Sequence, residues 1–203
     1  LDFSVGQLII QFVKKDFNSL LKSTSRVFFE DFCELSDIQV LDEWVISHEI
    51  ARIFMIITDY VQTGNKDDFT IIDDIFNKLL LVAVDSNLIS FWLIIRLLRI
   101  ILSTYFKASL WSVLPPLLSS QYTTKNYIQL LSGFVPPVTE LWPSQVAAIP
   151  LAVGENDGGI INLRTSGGKT RVAEIAIINT LSSNSMSKVL YLAPFRSLAF
   201  EVE

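Results

Sequence analysis

The stretch Leu163-Arg164-Thr165-Ser166-Gly167-Gly168-Lys169-Thr170 holds the residue types that could do chemistry at a suitable spacing. Polyphosphate brings several negative charges close together. Backbone N–H groups at a turn into a helix N-terminus can point at such oxygens. Gly167 and Gly168 allow close backbone approach, because neither carries a Cβ. Lys169 supplies a positive charge for the β- and γ-phosphates, and Thr170 offers a hydroxyl to a nucleotide-bound Mg2+. Arg171, the next residue, joins the candidate nucleotide-binding set. The strict phosphate-loop pattern has a glycine where Leu163 stands. The competing reading is a glycine turn before a helix with an exposed lysine.

Those residues need elements to hold them. Ile160–Leu163 is short and apolar, Thr170–Leu181 has helical composition, and Lys188–Ala193 is a second apolar run. The order predicts strand, loop, helix, strand, which is the βαβ unit of a parallel sheet. A helix is expected over Pro143–Val153, with proline suited to its first turn. Gly133-Phe134-Val135-Pro136-Pro137 argues for an extended connector. The expected organisation is a helical N-terminal domain over 1–132 and an α/β phosphate-loop domain over 133–203.

Apolar residues recur at helical spacing in Val5–Lys22, Asp42–Val61 and Phe69–Val84, with a further short helix over Tyr122–Ser132. Asp42-Glu43 is expected as an acidic pair at a helix start rather than a metal site. Leu88–Leu102 is very apolar, but it is shorter than the roughly 20 residues of a membrane span. It also carries Arg96 and Arg99, each costing about 2.5–3.5 kcal/mol at a bilayer centre. A core helix with one polar edge is expected there, and no membrane partner.

Composition bounds the partners. Half of the residues are apolar and the net charge is -5, so the chain is globular and has no global electrostatic footprint for nucleic acid. Cys33 and His48 are each the sole residue of their type. That excludes a disulfide framework and a Cys/His zinc site. Without a signal-peptide pattern, a reducing cytoplasm is expected.

Three phrases in order resemble the superfamily 2 helicases of the DEAD/DExH type. Glu140-Leu141-Trp142-Pro143-Ser144-Gln145 is similar to the upstream adenine-recognition segment, especially that of the Ski-like branch. Thr165-Ser166-Gly167-Gly168-Lys169-Thr170 is similar to their phosphate loop, although Arg164 stands where proline is frequent. Leu192-Ala193-Pro194-Phe195-Arg196-Ser197-Leu198-Ala199 resembles a motif that contacts the backbone of the bound strand. The phrasing also resembles helicases of bacterial antiviral defence systems of the Hachiman type.

The resemblance covers residues 138–203. It implies the beginning of a RecA-like lobe that binds ATP and Mg2+. Gln145 would hydrogen-bond the adenine edge, and Pro194, Arg196 and Ser197 would face single-stranded nucleic acid, DNA ahead of RNA. The acidic pair and the arginine fingers of the family do not occur after the third phrase, so the chain is expected to be an N-terminal fragment without useful ATP hydrolysis of its own. Two functions follow as expectations. One is an ATP-dependent helicase or translocase. The other is a helical module that docks a partner protein and keeps a nucleotide-binding remnant without being catalytic. A phosphate-loop kinase or transporter ATPase is disfavoured by the Gln145 phrase and by Ala193-Pro194-x-Arg196.

Overall fold

The computed structural model describes residues 3–29, 38–67, 69–154, 159–164, 167–184 and 186–192. Nine helices are found among them: α1 (Phe3–Val13), α2 (Phe17–Phe29), α3 (Ile38–Thr63), α4 (Phe69–Asp85), α5 (Ile89–Ala108), α6 (Leu110–Val113), α7 (Gln121–Ser132), α8 (Pro143–Val153) and α9 (Lys169–Ser183). The described residues form two compact units. The first holds those up to Thr104 together with Val135–Pro137, and the second holds Tyr105–Phe134 and the residues from Val138 onward.

In the first unit, the periodic apolar residues become the core. Leu8 and Phe12 of α1, Leu20 of α2, Phe54 and Ile57 of α3, and Phe76 and Leu79 of α4 are all buried. Aromatic edges help to fix the helices. The Phe12 ring lies 6.3 Å from Phe17 and 5.6 Å from Phe54, and Tyr60 lies 4.7 Å from Phe69. The stretch expected as one helix over Val5–Lys22 is two. Lys15 takes a left-handed φ of 59°, and the Asp16 carboxylate accepts the Ser19 backbone N–H at 3.1 Å. Asp16 thereby starts α2, and hydrogen bonding from Ser19 lowers its carboxyl pKa.

The Asp42 carboxylate accepts a short hydrogen bond from the Ser86 hydroxyl, which ties α3 to the turn after α4. His48 lies between two rings, 4.1 Å from Phe28 and 5.0 Å from Trp44. Its place is structural. Cys33 lies outside the described residues.

α5 is 20 residues long, with a mean hydropathy of 1.7 over its most apolar window and 28% of that window buried. By length and composition it is long enough to cross a membrane. The helix therefore runs further than the Leu88–Leu102 stretch expected to be too short for a span, and it still contains the two arginines. Arg96 lies over the Trp92 ring at 4.7 Å, and Arg99 pairs with Asp73 at 3.0 Å.

The second unit has a core of its own, built from Leu110, Leu114, Ile128, Leu131, Ile149 and Ile175 with their neighbours. Ser120 caps α7, its hydroxyl accepting from the Thr123 N–H. An antiparallel bridge joins Ser109 and Glu140.

The α/β architecture expected from the sequence does not form among the described residues. Among the described residues there is no strand and no sheet, and so no RecA-like α/β portion. Both runs expected as strands are irregular where described, over 160–163 and 188–192. Ile160, Leu190 and Leu192 are exposed, with no neighbouring ladder among the described residues to satisfy their backbone groups.

Candidate functional site

Two helix starts meet at the residues singled out by sequence. α8 begins at Pro143, where a missing N–H costs nothing because the first turn has no partner for it. The Gln145 Oε1 accepts the Trp142 backbone N–H at 2.8 Å. The other end of the same amide reaches across to α9, where Gln145 Nε2 donates to the Gly168 carbonyl at 3.2 Å. Gln145 is buried, so each end of its amide meets a partner inside the fold, as burial of a polar group requires.

α9 is entered through Gly168 at φ 73° and ψ 34°, with no side-chain cap. A Cβ there would lie 2.0 Å from Gln145 Nε2. Both the left-handed backbone and the lack of space demand glycine. Gly167 is constrained as well. Its N–H donates to the Arg164 carbonyl at 2.8 Å, and a Cβ would sit 2.8 Å from that same oxygen. Thus the paired glycines have an internal reason to be glycine, the tight turn and the seat for Gln145.

Lys169, the first residue of α9, is exposed. It lies at the edge of an apolar cavity of about 550 Å3 lined by Leu151, Ile160, Ile161, Val172 and Ala176 among others. Thr170 and Arg171 line a second, more polar cleft of about 480 Å3 with Glu140, Trp142, Gln145, Gly168 and Glu174. Trp142 is half exposed at its rim. Within that cleft Arg171 Nη1 donates to the Tyr127 hydroxyl at 3.2 Å and to Glu174 Oε2 at 2.6 Å. Burial raises the Tyr127 hydroxyl above its ordinary pKa, which keeps it protonated, while the hydrogen bond from Arg171 acts the other way.

The structure therefore brings together Gln145, Gly167, Gly168, Lys169, Thr170 and Arg171. Thr165 and Ser166 lie outside the described residues, as do Pro194, Arg196 and Ser197. Sequence reasoning missed Tyr127 and Glu174, the partners of Arg171. Glu174 stands at i+3 from Arg171 and was legible as a helix-face pair. Tyr127 is 44 positions away, and no local signal points to it. Among the described residues no group of three or more His, Cys, Asp or Glu could hold a metal.

This geometry corrects the reading of the chain as a helicase or translocase with an ATP-binding loop. That reading needs a strand leading into the loop and another beyond the helix, so that the loop is held rigidly under the phosphates. The described residues on either side of α9 supply neither. The arrangement fits a helical module better, because the polar groups around the start of α9 hold helices to one another.

Residues 142–203 match the DEAD/DEAH box helicase family. The whole chain is similar to the Hachiman protein HamB of Bacillus cereus, 30% identical over 202 residues that make up 18% of that protein. Over 64 residues, 32% of the chain, it is 38% identical to the ATP-dependent DNA helicase Hel308 of Pyrococcus horikoshii, covering 9% of that protein. The Hel308 of Thermococcus kodakarensis shows the same identity over 64 residues, or 6% of its length. The chain spans less than a fifth of each of these relatives. It is related to the superfamily 2 helicases.

Proposed function

We propose that this relative of the superfamily 2 helicases is a helical module that docks a partner protein and keeps a nucleotide-binding remnant, without being catalytic itself. One observation carries the reading: two polar side chains at the start of α9, those of Gln145 and Arg171, are engaged in holding the fold together. Gln145 joins α8 to α9, and Arg171 is held between Tyr127 and Glu174. Phosphoryl transfer depends on positioning and on stabilising charge at the reacting group, and residues engaged in this way supply little of either.

The remnant is the first turn of α9. Its uncapped N–H groups and the exposed Lys169 suit a polyphosphate. Thr170 would meet Mg2+ carried by the nucleotide. Trp142 and Gln145 would border the adenine. Similarity to ATP-dependent DNA helicases supports ATP as the nucleotide and a setting beside single-stranded DNA, where Pro194, Arg196 and Ser197 would face the strand. Similarity to a Hachiman protein supports a role in antiviral defence.

The test is co-purification of the tagged chain from its native host, with identification of any polypeptide present in stoichiometric amount. One defined partner, retained at 0.5 M salt and reconstituted from purified components, is expected. A chain that emerges alone under gentle conditions contradicts docking.

A further inference from the structure

The outward face of α5 is not explained by the packing of its own unit. Phe91, Ile95, Leu98 and Leu102 are buried, at the spacing that makes one helix face. Ile89, Leu93, Leu97 and Ile100 are exposed at 72%, 53%, 50% and 62%. Their positions are shifted by about two residues from the buried set. At roughly 3.6 residues per turn, that shift places them on the opposite side of the helix. α5 is thus apolar on two opposite faces, one of them open to solvent. A contiguous apolar face of this kind marks an interaction surface more often than scattered single residues do.

Charge decides what fits the open face. α5 carries Arg96, Arg99 and Lys107 and contains no Asp or Glu. Arg99 already takes a carboxylate, Asp73 of α4. Arg96 borders the open stripe and touches the Trp92 ring. A second copy of the chain is a poor occupant. Two α5 stripes laid antiparallel about a twofold axis would bring Arg96 close to its own counterpart, because Arg96 lies near the middle of the stripe. Like charges so placed oppose association.

We propose that the Ile89–Ile100 face of α5 receives an amphipathic helix of a partner protein, with Leu or Ile facing the stripe and carboxylates flanking it to meet Arg96. This rests on the docking reading above and names its surface and the chemistry of its partner. Binding follows the helix-in-groove mode, with anchors at helical spacing.

The full chain is titrated with two fluorescein-labelled synthetic helical peptides that share one Leu/Ile stripe, one flanked by Glu and the other by Lys. Vesicles of phosphatidylserine and phosphatidylcholine form a third arm, and sedimentation velocity reports self-association. The Glu peptide is expected to bind at least about tenfold more tightly than the Lys peptide. The paired substitution Leu93→Ser and Leu97→Ser, at exposed positions, should weaken it by about tenfold or more with the helical circular dichroism unchanged. Arg96→Glu should reverse the preference between the peptides.

Equal binding of the two peptides overturns the proposal, as does binding indifferent to the paired substitution. Vesicle binding without peptide binding overturns it in favour of a membrane surface, and a dimer dissolved by the paired substitution overturns it in favour of a second copy. A native partner that still co-purifies with the paired variant would remove α5 as the dock and leave the docking reading intact. A wild-type chain with no native partner would remove that reading itself.

Discussion

Gln145 is the residue on which the second unit turns. Its amide accepts from Trp142 and donates to Gly168, so one side chain fixes how α8 and α9 begin. The cost of disturbing it can be read from its neighbour. Gly168→Ala would force a left-handed backbone on a residue with a Cβ and press that Cβ onto Gln145. A loss of about 1–3 kcal/mol in unfolding free energy is expected, measurable by urea denaturation. A change smaller than a few tenths of a kcal/mol would show that the Gln145 seat is not tight. Sequence made Gln145 and the glycines visible, because their types and order resemble helicase phrases. It did not make visible that the amide is already engaged. That contact joins residues 23 positions apart, and nothing local in the chain signals it. The same holds for the grip of Tyr127 on Arg171.

At the scale of elements, periodicity carried furthest where the helices are long. Asp42–Val61 lies within α3 and Phe69–Val84 within α4, and Pro143–Val153 coincides with α8. Each has enough turns for an apolar face to stand out. The stop between α1 and α2 was hidden, because Lys14-Lys15-Asp16 interrupts the apolar pattern no more than a solvent-facing turn would. The two expected strands failed for a different reason. A short apolar run has no hydrogen-bonding partner of its own, so its state is decided by distant chain. Lys188–Leu192 has a strand's composition and no ladder among the described residues. α3 is the helix against which the first unit packs, and Phe54 is fully buried on it, touching Phe12. Phe54→Ala should cost about 3–5 kcal/mol, read as a lowered urea midpoint. A loss under 1 kcal/mol would mean that α3 is not central to that core.

The molecule as a whole consists of two helical units, each with its own buried core. The similarity to HamB runs through both, whereas the similarity to Hel308 covers 64 residues. Under the proposed function, nucleotide is held at the start of α9 without being consumed. The most direct test measures both in one sample of the purified chain, using fluorescent ATP for binding and phosphate release for turnover, with and without single-stranded DNA. Holding without consumption predicts saturable binding that weakens by about tenfold or more in Lys169→Ala, and phosphate release at the level of buffer in every condition. DNA-stimulated phosphate release that disappears in Lys169→Ala would contradict it.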